Sequence, residues 1–181
     1  MSLIETITDY NFDKIRLVKE VTDIMRTHKS ANGQLCLTHS KLAESVSTYH
    51  KMLEGTGSLY DFNKQEMRYK ETDFTIFNSA LKHTQLYEMY KSLPNIGRFR
   101  IMVMPGPRCY SIHRDVTKRY HFVLETNPQC FFLFPDDNEM VHVPDDGNIH
   151  LLDTIRPHTF INGSKQQRIH LVLDALDTYE K

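Results

Sequence analysis

The sequence predicts a mainly β fold with N-terminal helices, its late strands closed into a double-sheet jelly roll. Three observations carry this. Periodicity changes from helical to strict alternation at Phe99, Ile101 and Val103, just after Pro94 and Gly97 break the chain. Eight short extended runs then follow, near 98–104, 109–113, 120–125, 130–134, 139–143, 148–152, 158–161 and 167–174. Turn chemistry punctuates them at Pro105-Gly-Pro107, Pro135-Asp-Asp-Asn138, Pro144-Asp-Asp-Gly147 and Asn162-Gly163, the last reading as a hairpin turn. Eight closely spaced strands suit a jelly roll, and a sheet with an apolar back must bury it, so the helical first half is expected to cover one sheet from outside.

The first half is less regular. Residues 11–28 read as an amphipathic helix capped by Asn11, with Ile15, Val18, Val21, Ile24 and Met25 on its apolar face. Asn32-Gly33 ends the unit, because both residues tolerate positive φ. A short strand at Leu35-Cys36-Leu37 and a polar helix near Lys41 to Leu53 precede the break at Gly55-Thr-Gly57. Ser58 to Phe74 is rich in charge, Tyr and Phe without clear periodicity, and reads as a loop across the domain. Thr84 to Leu93 is helical. With no repeat or low-complexity linker, residues 1–181 read as one domain: a helical and loop covering segment over 1–97 and an eight-strand core over 98–175.

Composition fits a soluble globular chain: 181 residues, 40% hydrophobic and 25% charged. A net charge of -1 provides no field for nucleic acid or an anionic membrane, so neither partner is expected. The cysteines Cys36, Cys109 and Cys130 lack CxxC spacing, which argues against a disulfide framework or a thiolate zinc site. The N-terminus has an early acid and no basic n-region, and no apolar run reaches the length of a membrane span; the cytoplasm is the expected location.

The chemistry centres on Tyr110 to His121, with His158 and Arg168 further on. In His113-Arg-Asp115, alternate residues of an extended chain face the same side, so both side chains can converge on one ion. An HxD tripeptide alone arises readily by chance, as a surface pair or a satisfied core histidine. His158 changes that, since its strand can neighbour His113 in a jelly roll. Two imidazoles and one carboxylate leave open positions for a chelating co-substrate and dioxygen, as in non-haem Fe(II) oxygenases. Arg168 then opens the apolar run Ile169-His-Leu-Val-Leu173, where a guanidinium needs a buried anion. A dicarboxylate gripped by its fork supplies one, and a salt bridge to Asp153 or Asp174 is the plainer alternative.

The segment Cys109 to Asp115, then Arg119-Tyr-His121, Thr126-Asn127, His158-Thr-Phe-Ile-Asn162 and Arg168-Ile-His170-Leu-Val resembles the aspartyl/asparaginyl β-hydroxylase family of 2-oxoglutarate oxygenases. The resemblance spans roughly 98–174 and implies a double-stranded β-helix. It implies Fe(II) on His113, Asp115 and His158, and the distal carboxylate of 2-oxoglutarate on Arg168. It also implies that Arg119 and His121 reach the co-substrate carboxylate near the metal. Some members carry Gly in place of the metal-binding acid, whereas Asp115 completes the triad here. The implied activity is hydroxylation of an amino-acid side chain, free or peptidyl, by dioxygen with release of succinate and CO2. A cupin-like module that binds a metal or small anion without turnover is the competing reading.

Other residues carry plainer expectations. His170 and Tyr110 read as buried strand residues, and Asn127 as a turn former. Phe131, Phe132 and Phe134 read as core and cavity wall. His28, His39, His50, His83, His142 and His150 read as surface residues.

Overall fold

The structure, a computed structural model, describes residues 2–179. Its first half runs β1 (Ile4–Ile7), α1 (Lys14–Thr27), β2 (Gln34–Cys36), β3 (Thr38–His39), α2 (Thr48–Glu54), β4 (Tyr60–Asp61), β5 (Glu66–Met67), β6 (Ile76–Phe77) and α3 (Gln85–Ser92). The strand-rich half follows as β7 (Ile96–Met104), β8 (Arg108–Cys109), β9 (Lys118–Glu125), β10 (Cys130–Phe134), β11 (Glu139–Val141), β12 (Ile149–Leu152), β13 (Thr159–Asn162) and β14 (Arg168–Ala175).

Local chemistry explains where α1 begins. Asp13 accepts a hydrogen bond from the Arg16 amide at 3.1 Å, so Asp13, not Asn11, is the N-cap. Its buried stripe is Leu17, Val21 and Ile24, while Ile15 and Val18 from the expected apolar face are 84% and 39% exposed. Asn32 and Gly33 take positive φ of 51° and 75°, turning the chain into β2. The expected polar helix near 41–53 is split into a short 3-10 turn at Lys41–Ala43 and α2, each capped by a serine hydroxyl, Ser40 and Ser47.

The strands form two main antiparallel sheets, a six-stranded one in the order β1-β12-β9-β14-β7-β2 and a four-stranded one in the order β11-β10-β13-β8. Small ladders pair β3 with β6 and β4 with β5. Because side chains alternate across a strand, each sheet face has its own character. On the larger sheet, Phe99, Ile101, Phe122, Leu124, Leu171 and Leu173 face outward and bury Leu17, Val21 and Ile24 of α1 with Leu86 and Met89 of α3 in one core. A smaller core joins Val123 and Met104 of that sheet to Phe132, Phe134 and Phe160 of the other.

Phe122 is fully buried and meets Phe12 edge-on at 6.2 Å, so it ties the N-terminal segment to the sheet. Phe122→Ala is expected to cost about 3–5 kcal/mol of stability, read from urea denaturation.

Two expectations are corrected. Asn162-Gly163 is no two-residue hairpin, because β13 and β14 lie in different sheets and the chain must cross between them. The Asn162 side chain braces that crossing, donating to the Met104 carbonyl at 3.2 Å and the Gln166 carbonyl at 2.8 Å. His39 and His150 are buried rather than at the surface. His150 meets Asp146 of the preceding turn through Nε2 and, where β1 joins the sheet edge, Thr6 Oγ1 through Nδ1.

Candidate active site

The strand expected over 109–113 pairs only at Arg108–Cys109. Beyond it the backbone departs and returns for a single bridge, with the His113 amide donating to the His158 carbonyl at 3.0 Å and the reverse bond at 2.9 Å. This bridge puts the two imidazole centroids 4.5 Å apart. The Asp115 amide donates to the Thr154 carbonyl at 2.9 Å, which brings the carboxylate alongside. One ligand atom from each of His113, Asp115 and His158 lies within 4.8 Å of the others.

Each ring is fixed by its second nitrogen. His113 Nδ1 donates to the Ser111 carbonyl at 2.8 Å and His158 Nδ1 to the Arg156 carbonyl at 2.9 Å. A carbonyl only accepts, so both rings carry the proton on Nδ1 and have Nε2 free to ligate a metal. Asp115 is held by Arg119, whose Nε and Nη2 donate to its two oxygens at 3.1 and 3.0 Å. Burial pushes the Asp115 carboxyl up, but the Arg119 charge and hydrogen bonds outweigh that and hold it well below the usual carboxylate range. The acid is therefore ionised at neutral pH. Two neutral imidazoles and a carboxylate fit a divalent transition metal and leave half of an octahedral shell free.

The resemblance gives Arg119 to the co-substrate; in the structure its guanidinium meets three carboxylates. Besides Asp115, Arg119 meets Glu71 through Nη1 at 3.0 Å and Asp174 at 2.6 Å. Asp174 in turn accepts from Arg98 at 2.8 Å and Arg100 at 3.0 Å, and Arg98 also reaches Glu71 at 2.9 Å. Neither Glu71 nor Arg100 stood out in the sequence. Arg98 and Arg100 do alternate with Phe99 and Ile101, so the apolar face went to the helices and the charged face inward. That alternation was the available signal for the arginines, whereas nothing local marked Glu71.

Arg168 stands apart from this cluster. It is 2% exposed; among the described residues its only acceptors are His170 Nδ1 at 2.6 Å and His121 Nδ1 at 3.5 Å from Nη2, and its Nε has no partner. Neither Asp153 nor Asp174 pairs with it, since those acids serve Arg156 and the other arginines. Its guanidinium stacks over Phe160 at 4.2 Å. Burial lowers its pKa to about 10, which leaves it charged at neutral pH.

Arg168, His121, Arg119, the three metal-binding candidates and Arg100 line one cavity of about 710 Å³, walled by Phe132 and Phe160 and overhung by the 58–71 segment. That segment, read as a loop across the domain, also carries the β4-β5 hairpin.

Burial, then the Arg168 charge, pushes His121 and His170 well below the ordinary imidazole range. Arg119, Arg100 and Asp115 also act on His121, and His142 and His150 on His170. The folded chain keeps both rings neutral as pH falls, while the unfolded chain takes up protons near pH ~6.5. Their contribution to stability is complete above that pH and is lost below it, at about 1.4 kcal/mol per pH unit for each ring. Unfolding midpoints measured from pH 7.5 to 5 are expected to fall, and His170→Asn is expected to flatten the decline; equal slopes in both proteins would disprove this assignment.

Comparison with known proteins gives the site its context. No curated protein matches the chain. Residues 59–178, well over half of the chain, match aspartyl/asparaginyl beta-hydroxylase, and the stretch includes Glu71, the three metal-binding candidates and Arg168. The chain belongs to the aspartyl/asparaginyl β-hydroxylase family.

Proposed function

We propose that the protein is an Fe(II)/2-oxoglutarate-dependent dioxygenase that hydroxylates an amino-acid side chain, free or peptidyl, with release of succinate and CO2. The observation that carries this reading is Arg168, a buried guanidinium without a carboxylate partner, in the same cavity as His113, Asp115 and His158. A buried unpaired charge costs several kcal/mol, so such a residue implies an anionic occupant. The fork of Arg168 would hold the distal carboxylate of 2-oxoglutarate, with its ring stacking on Phe160 fixing the plane.

In this reading His113 and His158 ligate through Nε2 and Asp115 through an oxygen not saturated by Arg119. Arg119 positions Asp115 and lines the cavity with His121 beside the carboxylate nearest the metal. When bound, ferrous iron would activate dioxygen, the oxidant, with 2-oxoglutarate as the reductant that becomes succinate and CO2 by taking one oxygen atom while the other enters an unactivated C–H bond. The chain's own task is to orient these groups and keep water out, for which Phe132 and Phe160 supply apolar walls.

Strand order supports naming the core. Of the eight strands β7 to β14, β7, β9, β12 and β14 belong to the larger sheet and β8, β10, β11 and β13 to the smaller. The chain thus winds back and forth between sheets as a double-stranded β-helix does. We take residues 1–181 as one domain. The three cysteines are free and no helix among the described residues is long and apolar enough to cross a membrane; both facts suit a reducing cytoplasm.

Anaerobic addition of Fe(II) and then 2-oxoglutarate is expected to give a weak visible charge-transfer band, followed in air by succinate release that candidate substrates stimulate. A band without stimulated succinate over a broad panel of amino acids, peptides and cell metabolites would instead indicate a binding module.

A further inference from the structure

Arg100 lies on the inner face of β7, 6% exposed, and lines the same cavity. Arg98 and Arg119 are each shared by two or more carboxylates, but among the described residues Arg100 has only Asp174, which it reaches through Nη2 at 3.0 Å. Its Nε has no partner among the described residues. One carboxylate, Asp174, is therefore divided among three guanidiniums, and Arg100 is the least compensated of them.

Charge counting agrees. The buried wall sets Arg98, Arg100, Arg119 and Arg168 against Glu71, Asp115 and Asp174, an excess of one positive charge. A ferrous ion and a dianionic co-substrate cancel each other, so the excess survives loading. Lys70 and Arg114 at the rim add to it, and neither has a salt-bridge partner among the described residues. Arg100 is also a separate station from Arg168. Along β14 its register partner is Val172, whereas Arg168 pairs with Met104. Four residues of strand, about 13 Å of backbone, separate the two positions.

We infer that Arg100 anchors a carboxylate on the primary substrate, and that this substrate carries no free ammonium group. The second half follows from the acids that line the cavity: Glu71 is bound by Arg98, Arg119 and Thr117, and Asp115 by Arg119 beside the imidazoles, so none is left for an ammonium. Exposed Phe62, Met67 and Val116 at the mouth face the remainder of the molecule with apolar surface. The class is thus an acylated amino acid or a peptide's C-terminal residue with an apolar body. This rests on the oxygenase reading above and narrows it.

Calorimetric titration of the full chain under nitrogen, with ferrous iron and saturating 2-oxoglutarate, tests it with three probes of one apolar body: N-acetyl-L-leucine, N-acetyl-L-leucinamide and L-leucine. The acid is expected to bind about tenfold or more tighter than the amide and the zwitterion, the scale of a hydrogen bond to a charged group. Arg100→Gln is expected to erase the gap. Should that variant not fold, Arg100→Lys, which keeps the charge without the fork, is expected to narrow it. Equal affinities, no binding of the acid, or a gap unchanged in the folded Arg100 variant each overturn the inference. A prior titration with 2-oxoglutarate alone separates the two ideas. A missing co-substrate signal with the acid preference still dependent on Arg100 sinks the oxygenase reading only, and the converse sinks the substrate anchor only.

Discussion

Asp115→Ala is expected to lose Fe(II) on dialysis and to form no detectable succinate, while its unfolding midpoint changes little. The geometry separates these effects. Asp115 is the only acid among the three convergent ligand groups, so its loss leaves two neutral imidazoles to hold a dication. Changing a group that merely supports a ligand already costs ten- to a hundredfold in metal affinity, and a ligand itself should cost more than about a hundredfold. The fold survives because Arg119 retains Glu71 and Asp174 when Asp115 is gone. Metal content after dialysis, with succinate assayed in parallel, measures both. A variant with undiminished turnover would remove Asp115 from the metal site.

For Arg168→Lys, the 2-oxoglutarate concentration giving half-maximal succinate formation is expected to rise ten- to a hundredfold, matching the roughly 1.5–3 kcal/mol of a charged hydrogen bond. An ammonium cannot offer two parallel donors to one carboxylate, and it cannot stack on Phe160 as the guanidinium does at 4.2 Å. Maximal turnover at saturating co-substrate should suffer less, because the metal ligands are untouched. An unaltered requirement would put the co-substrate's distal carboxylate elsewhere in the cavity.

Much of the strand-rich half was legible because turn chemistry and alternation act locally. Each of the eight runs found a strand, and β10 coincides with its run at Cys130–Phe134. The run at 109–113 is the instructive exception. Its pairing stops at Cys109 because the chain leaves the sheet to carry His113 over to His158. β1 went unread because Ile-Glu-Thr-Ile is short and becomes a strand only by pairing with β12. Motif spacing pointed to His113, Asp115 and His158, since strand neighbours separated in sequence are what a two-sheet topology brings together. The supporting cluster was not legible. Glu71 acts through partners in β7 and β9, and Arg119 meets acids that lie 48 residues earlier and in β14. Long-range electrostatics of this kind leaves no periodic trace.

Glu71 also changes what the first half of the chain is for. A segment that only shielded an apolar sheet could be exchanged for any other helical cover, but this one delivers the counter-charge for Arg98 and Arg119. A fragment starting at residue 98 would lack Glu71, one of the two carboxylates on Arg98 and one of the three on Arg119, so the strand-rich half is not expected to fold as an autonomous piece. The match to the family starts at residue 59, so it takes in Glu71 together with the strand-rich half.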